Sequence, residues 1–378
     1  MKAMLIIADD KIPFLKGVLE PYSKILYLPG ASISNKEVKN ADALIVRTRT
    51  KVNEKLLKGS KVKAVVSATI GTDHLDISWL EKNNIAWSNA PGCNSGSVKQ
   101  YIASVLANLE LKGFSLQGKT LGIIGVGNVG SKIISVGEAF GMKVLLNDPP
   151  RKEKEPDFPN TDLNVLLQLS DIITFHVPLT HEGPYSTYHL FNDTTLLMVK
   201  RGCVLINSSR GEVVDQQALL KGLNTGIINQ AILDVWENEP DISLELQNKL
   251  LFGTPHIAGY AVDGKANGSA AAVQFLSKIF HWDLDNWYPQ NLPSPANMVI
   301  TFDEKDDGIN TQLAKAILKT YDVSEDSRRL TQNPESFEYL RGAYPVRREL
   351  HCWTVKMPKE CEDLKQRLSL LGFRIKQQ

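Results

Sequence analysis

Short apolar segments alternate with longer polar or amphipathic segments along most of the chain. Several of the short segments are apolar almost throughout, which is typical of strands buried on both faces of a sheet. Helical patterns separate many of them, and this alternation predicts repeated β-α units and parallel sheets. The predicted strands are residues 4–8, 24–28, 43–47, 64–68, 85–88, 120–125, 143–148, 172–177, 203–208 and 230–235.

Helices are predicted at residues 97–112, 131–140 and 266–280. The segment 281–297 that follows is rich in Trp, Pro and Asn and is the clearest linker in the chain. Beyond it the alternation resumes and predicts a small α/β module. Its predicted strands are residues 298–303, 350–356 and 373–376, and its predicted helices are residues 310–319, 337–341 and 361–371.

Composition excludes several classes of protein. The 43 Lys and Arg residues nearly balance the 42 Asp and Glu residues, so the net charge of +1 gives no sign of binding to nucleic acid or an anionic membrane. We expect neither partner. No apolar run approaches the roughly 18–20 residues of a membrane span. The four cysteines form no CxxC pair, and the seven histidines do not cluster, so we expect a reducing cytoplasm and no metal.

A glycine-rich segment between a predicted strand and a predicted helix indicates a dinucleotide site. Gly125 permits a tight turn, Gly127 lets the backbone approach a pyrophosphate, and Gly130 lets the helix pack on the strand. The N-terminus of the helix then presents unpaired N–H groups to the phosphates. The cofactor-binding residues predicted from this motif are Gly125, Gly127, Asn128, Val129 and Gly130.

An acidic residue ends the next predicted strand. Asp148 lies about 20 residues beyond the glycines, where a carboxylate accepts hydrogen bonds from the adenosine ribose. A carboxylate there repels a 2′-phosphate, so NAD is predicted rather than NADP. Arg151 lies close by and weakens this preference.

Three further polar residues follow predicted strands, where open α/β sheets bind ligands. They suit the oxidation of a 2-hydroxy acid. His256 can take the hydroxyl proton, and a carboxylate from Glu239 can orient the imidazole and favour its charged form. Arg210 can hold the substrate carboxylate with two hydrogen bonds. Arg210, Glu239 and His256 are therefore the predicted catalytic residues.

The order and spacing of these segments resemble the D-2-hydroxyacid dehydrogenase family. The glycine loop, INSSRGEVVD, LDVWENEP and TPHIAGY carry the resemblance. It implies an α/β protein with a Rossmann-type NAD-binding domain, a flavodoxin-like substrate domain and a small C-terminal α/β dimerisation domain. The resemblance implies that residues 1–92 and 256–280 form the substrate-binding domain and that residues 93–255 form the NAD-binding domain. Residues 281–378 form the implied dimerisation domain of a homodimer.

The resemblance also implies individual site residues. Val177 stands where family members similar to this chain usually have Thr, so one side-chain hydrogen bond to the cofactor is in doubt. The implied cofactor contacts are Asp148, Val177, Ser208, Ser209, Arg210, Asp234 and Gly259. The implied substrate contacts are Thr48, Thr69, Gly71 and Tyr260, with Thr69 and Gly71 in a carboxylate-binding loop at 67–74.

The resemblance extends over essentially the whole chain and implies a phosphorylated hydroxy acid as substrate. Arg47 is the first choice for the phosphate, and Arg347 or Arg348, reaching in from a partner subunit, is the second. A solvated basic surface is the alternative for that pair. Two other functions stay open: a dehydrogenase for a different hydroxy acid, such as 3-phosphoglycerate, and an NAD-sensing binding protein on the same fold.

Overall fold

The computed structural model of the protein describes residues 4–302, 308–358 and 361–377. The chain forms two compact units. The first unit comprises Met1–Asn94 and Ala261–Pro293, and the second comprises Ser95–Tyr260 and Ser294–Gln378. The C-terminal residues therefore share a unit with the segment predicted to bind NAD, and the roles predicted for the three domains stay predictions.

The strands in chain order are β1 Leu5–Asp9, β2 Lys24–Leu28, β3 Ala43–Val46, β4 Ala64–Ser67, β5 Ala86–Ser88, β6 Thr120–Ile124, β7 Lys143–Asn147, β8 Ile172–Phe175, β9 Cys203–Asn207, β10 Ile228–Leu233, β11 Phe252–Gly253, β12 Val299–Thr301, β13 Thr354–Met357 and β14 Arg374–Gln377.

The α-helices are α1 Asn35–Val38, α2 Glu54–Leu57, α3 Ile77–Lys82, α4 Ser95–Leu111, α5 Gly130–Ala139, α6 Pro149–Lys154, α7 Leu163–Leu169, α8 Asp193–Leu196, α9 Gln216–Thr225, α10 Leu244–Gln247, α11 Val262–Phe280, α12 Ile309–Thr320, α13 Val323–Gln332, α14 Phe337–Gly342 and α15 Glu362–Leu371. Short 3₁₀ helices lie at Gly30–Ser32, Gly211–Val213, Pro334–Ser336 and Leu350–Cys352.

The first unit is built on a five-stranded parallel sheet with the order β2-β1-β3-β4-β5. This is the flavodoxin-like order, as predicted. Both faces of the sheet are buried: Ile7 and Leu44 belong to one apolar cluster, and Ile6 and Ile45 belong to another. Helix α11 covers the second face and contributes Leu276 to that cluster. The continuous apolar strands in the sequence follow from this double burial.

The second unit contains a six-stranded parallel sheet with the order β11-β10-β9-β8-β6-β7. The order of strands reverses between β6 and β8, and a doubly wound sheet binds its ligand at such a point. The glycine-rich segment begins directly after β6. A smaller parallel sheet, β12-β13-β14, belongs to the C-terminal module, which we define as residues 294–378.

Helix α4 joins the six-stranded sheet to the C-terminal module. Most of its residues are buried, and a stripe of polar side chains faces the module rather than solvent. Ser97 donates to Glu349 (2.7 Å), Gln100 to Thr320 (3.1 Å) and Asn108 to Asp322 (3.0 Å). Apolar side chains of the sheet, of α4 and of the module form one continuous core.

The predicted α/β architecture is confirmed. Several elements had no predicted range, among them the short helices α1 to α3 and α6 to α8, the helices α9, α10 and α13, and strand β11. Helix α13 lacks an apolar stripe that the sequence would reveal, and β11 is only two residues long. The predicted strand at 350–356 is a 3₁₀ helix followed by β13. Asp303, the predicted end of the strand now assigned as β12, lies outside the described residues.

We expect Gly268→Ala to destabilise the first unit. A Cβ at this position of α11 would press on the carbonyl oxygen of Ala68, and backbone atoms cannot move aside cheaply. The expected loss is about 1–3 kcal/mol, typical of overpacking. Thermal unfolding would measure it against Gly342→Ala in α14, where no described atom lies within 4 Å of the new Cβ. Equal unfolding midpoints in the two variants would contradict this account of the contact.

Candidate active site

The glycine-rich turn after β6 has a separate requirement at each glycine. Gly125 has φ +85°, and a Cβ there would lie 2.6 Å from the carbonyl oxygen of His176. A Cβ on Gly130 would collide with the carbonyl of Gly125. A Cβ on Gly127, in contrast, would have no described atom within 4 Å. Gly125 and Gly130 therefore serve the fold, whereas Gly127 leaves open space beside the backbone, as a pyrophosphate requires.

Asp148 lies beside this turn, at a cavity of about 480 Å³ that Asn128 also lines. One carboxylate oxygen accepts from the N–H of Val126 (2.8 Å) and the other from the N–H of Arg151 (3.0 Å). These bonds fix the carboxylate, and each oxygen keeps a lone pair for a ribose hydroxyl. The Arg151 guanidinium is itself held by the carbonyl of Val126 (2.8 Å) and by Glu155 (2.9 Å). The arrangement fits NAD.

Two further predicted cofactor residues, Val177 and Ser208, follow the carboxyl ends of β8 and β9. The Ser208 hydroxyl is buried and has no hydrogen-bond partner among the described residues, so it can serve a ligand. Val177 packs close to the turn, since a Cβ on Gly125 would lie 2.7 Å from its Cγ1. Val177 thus supplies apolar contact where a threonine would add a hydroxyl. Both positions fit a nicotinamide dinucleotide, which would lie along the carboxyl ends of β6, β8 and β9.

Asn207, which sequence reasoning missed, fixes the segment that carries Arg210. Its side-chain oxygen accepts from the backbone N–H (3.0 Å) and hydroxyl (2.8 Å) of Ser209. Its amide donates to the carbonyl of Arg210 (2.8 Å). The Arg210 guanidinium donates to the carbonyl of Ser209 (2.8 Å). The sequence feature that could have identified Asn207 is its position at the end of an otherwise apolar strand.

The structure brings Glu239 and His256 together. The distance from Nδ1 of His256 to Oε2 of Glu239 is 2.8 Å, and the other Glu239 oxygen accepts from the N–H of Trp236 (3.0 Å). Burial raises the pKa of Glu239, but the hydrogen bond and charge of His256 outweigh it, and the pKa lies below its usual value. Glu239 is therefore an anion. Its bond to Nδ1 leaves Nε2 as the ring nitrogen that exchanges a proton.

Hydrogen bonds to Asp234 anchor the loop that carries His256. This carboxylate is 1% exposed and accepts from the Thr254 hydroxyl (2.7 Å) and from the N–H groups of Ile257 (2.8 Å) and Ala258 (2.9 Å). Burial raises the pKa of Asp234. His256 itself has φ +55°, a left-handed conformation that is strained for a residue other than glycine. The hydrogen bonds of Asp234 hold this conformation in place.

The predicted cofactor contacts at Asp234 and Gly259 stay predictions. Asp234 points its oxygens into the loop, so its visible role is to position His256. Gly259 follows the held residues, between Ala258 and Tyr260.

The predicted substrate residues of the first unit lie after β3 and β4, whose carboxyl ends share one edge of the sheet. Arg47 donates to the carbonyl of Lys11 (2.8 Å), and the neighbouring Thr48 is exposed. The Thr69 hydroxyl is 2.8 Å from the hydroxyl of Ser67. Gly71 is partly exposed in the same loop. These positions are consistent with binding an anion, but their roles stay predictions.

Residues of the C-terminal module surround Tyr260 in the second unit. The ring of Tyr344 meets the Tyr260 ring edge-on, with centroids 5.7 Å apart, and the guanidinium of Arg341 lies 5.9 Å from the Tyr260 centroid. Arg347 is only 4% exposed, and the hypothesis that it reaches a phosphate in a partner subunit stays a prediction. Arg348 donates within its own chain to Ser294 and to Sγ of Cys352 (3.2 Å).

Comparisons with known proteins agree with this geometry. Residues 97–258 match the family described as "D-isomer specific 2-hydroxyacid dehydrogenase, NAD binding domain", and residues 291–372 match a domain of unknown function, DUF3410. The solved D-lactate dehydrogenase of Aquifex aeolicus, complexed with NAD and lactic acid, is similar with a TM-score of 0.62 and 28% identity. That similarity covers 74% of this chain and 96% of the other. Fold and site thus define an NAD-dependent dehydrogenase of 2-hydroxy acids.

Relatives that match this chain over nearly their full length identify a more specific family. The erythronate-4-phosphate dehydrogenase of Bacteroides thetaiotaomicron is 48% identical over 93% of this chain and 99% of its own length. The enzyme of the same name from Bacteroides fragilis strain ATCC 25285 is 44% identical over 94% of this chain and all of its own. The chain belongs to the erythronate-4-phosphate dehydrogenase family.

Two of the sequence predictions concern the environment of the protein. In the part of the chain that the structure describes, no helix has the length and apolar character to cross a membrane. The four cysteines are all free thiols.

Two glycines of the turn give a matched test of the cofactor site. We expect Gly127→Ala to leave thermal stability nearly unchanged and to weaken NADH binding at least about tenfold, because its methyl group occupies the space needed by the pyrophosphate. Gly130→Ala should instead lower the unfolding midpoint, because its methyl group meets the carbonyl of Gly125. Fluorescence titration with NADH and thermal unfolding separate the two effects. Tight NADH binding by Gly127→Ala would contradict the assignment.

Glu239→Gln tests the ionised partner of His256. Since the folded state lowers the pKa of Glu239, its stabilising contribution is present above the ordinary value of 4.5 and is lost as pH falls through the lower folded value. The variant should therefore be less stable than the parent at pH 7, by roughly 1.5–3 kcal/mol, and the difference should shrink near pH 4. We also expect kcat to fall by about 10²-fold or more.

The matched control is Glu237→Gln, which breaks the pair between Glu237 and His189 (2.6 Å) and leaves His256 untouched. Its kcat should stay within a few-fold of the parent. Equal losses of kcat in the two variants would show that the Glu239 effect is not specific to the predicted dyad.

Proposed function

We propose that this protein oxidises the C2 hydroxyl of 4-phospho-D-erythronate to give 2-oxo-3-hydroxy-4-phosphobutanoate, with NAD as cofactor, in pyridoxal phosphate biosynthesis. The observation that carries the proposal is the 2.8 Å pair of His256 and Glu239, which belongs to the same unit as the NAD-type turn. The relatives named for this substrate, which match nearly the full chain, support the choice of acid.

The chain supplies acid–base chemistry and charge. His256 removes the C2 hydroxyl proton through Nε2, and the Glu239 carboxylate stabilises the imidazolium that results. Bound NAD supplies the hydride acceptor. Arg210 holds the substrate carboxylate and polarises the carbonyl group as it forms. Because Asn207 holds the backbone carbonyl of Arg210 and the Ser209 carbonyl accepts from its guanidinium, the guanidinium starts from a defined position.

The substrate carries anionic groups at both ends, and we assign them to different residues. In the first unit, Thr69, Gly71 and the N–H groups of their loop bind the carboxylate. Arg47 and Thr48 bind the phosphate. Support comes from the first unit itself, since β3 and β4 are neighbours and deliver both sets to one sheet edge. Arg47 uses one donor for Lys11 and keeps others for an anion.

We further propose a cytoplasmic homodimer in which residues 281–378 form the dimer contact and residues 1–92 bind substrate. Exposed apolar side chains on the C-terminal module support an interface there: Tyr339 is 72% exposed and Val346 is 49% exposed. Free thiols agree with a reducing compartment.

The decisive test is NADH formation with 4-phospho-D-erythronate, with 3-phosphoglycerate and with unphosphorylated D-erythronate. We expect the highest kcat/KM for 4-phospho-D-erythronate. D-Erythronate lacks the phosphate, and 3-phosphoglycerate is one carbon shorter, so its two anionic groups cannot both reach their binding residues equally well. A parallel sample is first incubated with a 2-oxo acid to reoxidise any NADH that copurifies. Higher kcat/KM for 3-phosphoglycerate would replace the proposed substrate, and NADH binding without turnover of any acid would favour a binding protein.

The base is tested by His256→Asn, which should lower kcat by about 10²–10⁴-fold and change NADH affinity by no more than a few-fold. His189→Asn, at the neighbouring His–Glu pair, is the control and should retain most of the activity. Full activity in His256→Asn would exclude His256 as the base.

A further inference from the structure

A buried arginine of the C-terminal module contacts the loop that carries the catalytic histidine. Arg347 is 4% exposed and donates to the backbone carbonyls of Ala258 and Ser97, the latter at 3.4 Å. Ala258 lies two residues after His256. Its N–H is held by Asp234 and its carbonyl by Arg347, so this residue is fixed from both sides.

The charge of Arg347 is balanced through tyrosine hydroxyls. Its guanidinium stacks on the ring of Tyr321, 4.4 Å from the centroid, and donates to the hydroxyl of Tyr344 (3.3 Å). Both hydroxyls donate to the carboxylate of Asp326, Tyr344 at 2.7 Å and Tyr321 at 2.9 Å. Burial raises the pKa of Tyr344 and of Tyr321, so both remain protonated donors.

A buried charge of this kind is costly, and apolar side chains of similar volume could often replace the whole buried charged network at no loss of stability. An arginine at such a position is useful when its guanidinium donates to a segment whose position must be fixed. Here one arm reaches the catalytic loop, and Tyr344, which the guanidinium contacts, packs edge-on against Tyr260 at 5.7 Å. The same short segment thus restrains the residues on both sides of Gly259.

We propose that Arg347 is a positioning residue of the active site, through which the C-terminal module sets the placement of His256 and Tyr260. The module then has a role in catalysis within its own chain, separate from any dimer contact. The effect on turnover rests on the proposed function, whereas the effect on loop mobility does not.

The principal variant is Arg347→Met, which keeps the apolar length and removes the donors. Arg367→Met is the matched control, because Arg367 belongs to the same module and also donates to a backbone carbonyl, that of Ala139 (3.2 Å), which lies at the end of α5 and not in the loop of His256. Arg347→Lys keeps the charge and one donor. Tyr344→Phe removes a hydroxyl and keeps the ring, so it tests the network even if Arg347→Met does not fold.

Activity is measured as kcat per NADH-binding site, with the sites counted by fluorescence titration, so that loss of folded protein is not mistaken for slower chemistry. We expect kcat per site to fall about 10- to 100-fold in Arg347→Met, since small misplacements of a reacting group carry costs of this size. NADH affinity should change less than about threefold. Arg347→Lys should recover part of the loss, and Tyr344→Phe should lose about 3- to 10-fold. Substrate deuterated at C2 should give a larger isotope effect on kcat in Arg347→Met than in the parent.

Hydrogen exchange provides a readout that needs no substrate. The amides of Ile257 and Ala258, which donate to Asp234, should exchange faster in Arg347→Met and in Tyr344→Phe than in Arg367→Met. If the parent protein fails to oxidise 4-phospho-D-erythronate, the proposed function falls while this measurement still decides the positioning role. Unchanged kcat per site and unchanged exchange in Tyr344→Phe, or a loss in Arg347→Met confined to the number of sites, would overturn the proposal.

Discussion

The buried carboxylate of Asp234 is the constraint on which the active-site geometry depends. An anion that is 1% exposed must find donors inside the protein, and the loop after β11 supplies them from Thr254, Ile257 and Ala258. Hydrogen bonds to a charged group contribute about 1.5–3 kcal/mol each. Together they exceed the roughly 1–2 kcal/mol that a left-handed residue costs, so His256 can be held at φ +55° with Nδ1 on Glu239. The need of the buried Asp234 carboxylate for hydrogen-bond donors thus orients His256, the proposed base.

The same reasoning explains why helix α4 can be buried along most of its length. Ser97, Gln100 and Asn108 would be costly in an apolar interior, but each finds a partner on the C-terminal module. Removing the module would expose apolar surface of the shared core and leave these polar groups to water. The module is therefore part of the fold of the second unit, and it reaches the catalytic loop from within that unit. The contacts that α4 makes with the module all lie within one chain.

Much of the fold was predictable because its signals are local. Continuous apolar strands and the roles of Gly125 and Gly130 follow from the immediate sequence, and the pairing of Glu239 with His256 followed from residue types at strand ends. What could not be predicted depends on distant contacts. Arg347 and Arg348 are adjacent and chemically identical, yet one is buried against Ala258, 89 residues away, and the other donates to Ser294. Helix α13 was not predicted because two of the four residues on its buried face, Asp326 and Ser327, are polar and find their partners elsewhere in the unit.

The arginines show how a chain of nearly neutral net charge can bind a substrate with two anionic groups. With 43 cations against 42 anions, the overall field cannot attract the substrate strongly, so binding must come from a few cations in fixed positions. Arg47 and Arg210 are each anchored by a bond to a backbone carbonyl, which reduces the entropy lost when an anion binds. Arg347 directs the same type of donor at Ala258 instead, inside the protein. We therefore propose that partly exposed arginines such as Arg47 and Arg210 bind the substrate, whereas the buried Arg347 positions the loop of His256. The degree of burial determines which of the two roles an arginine has.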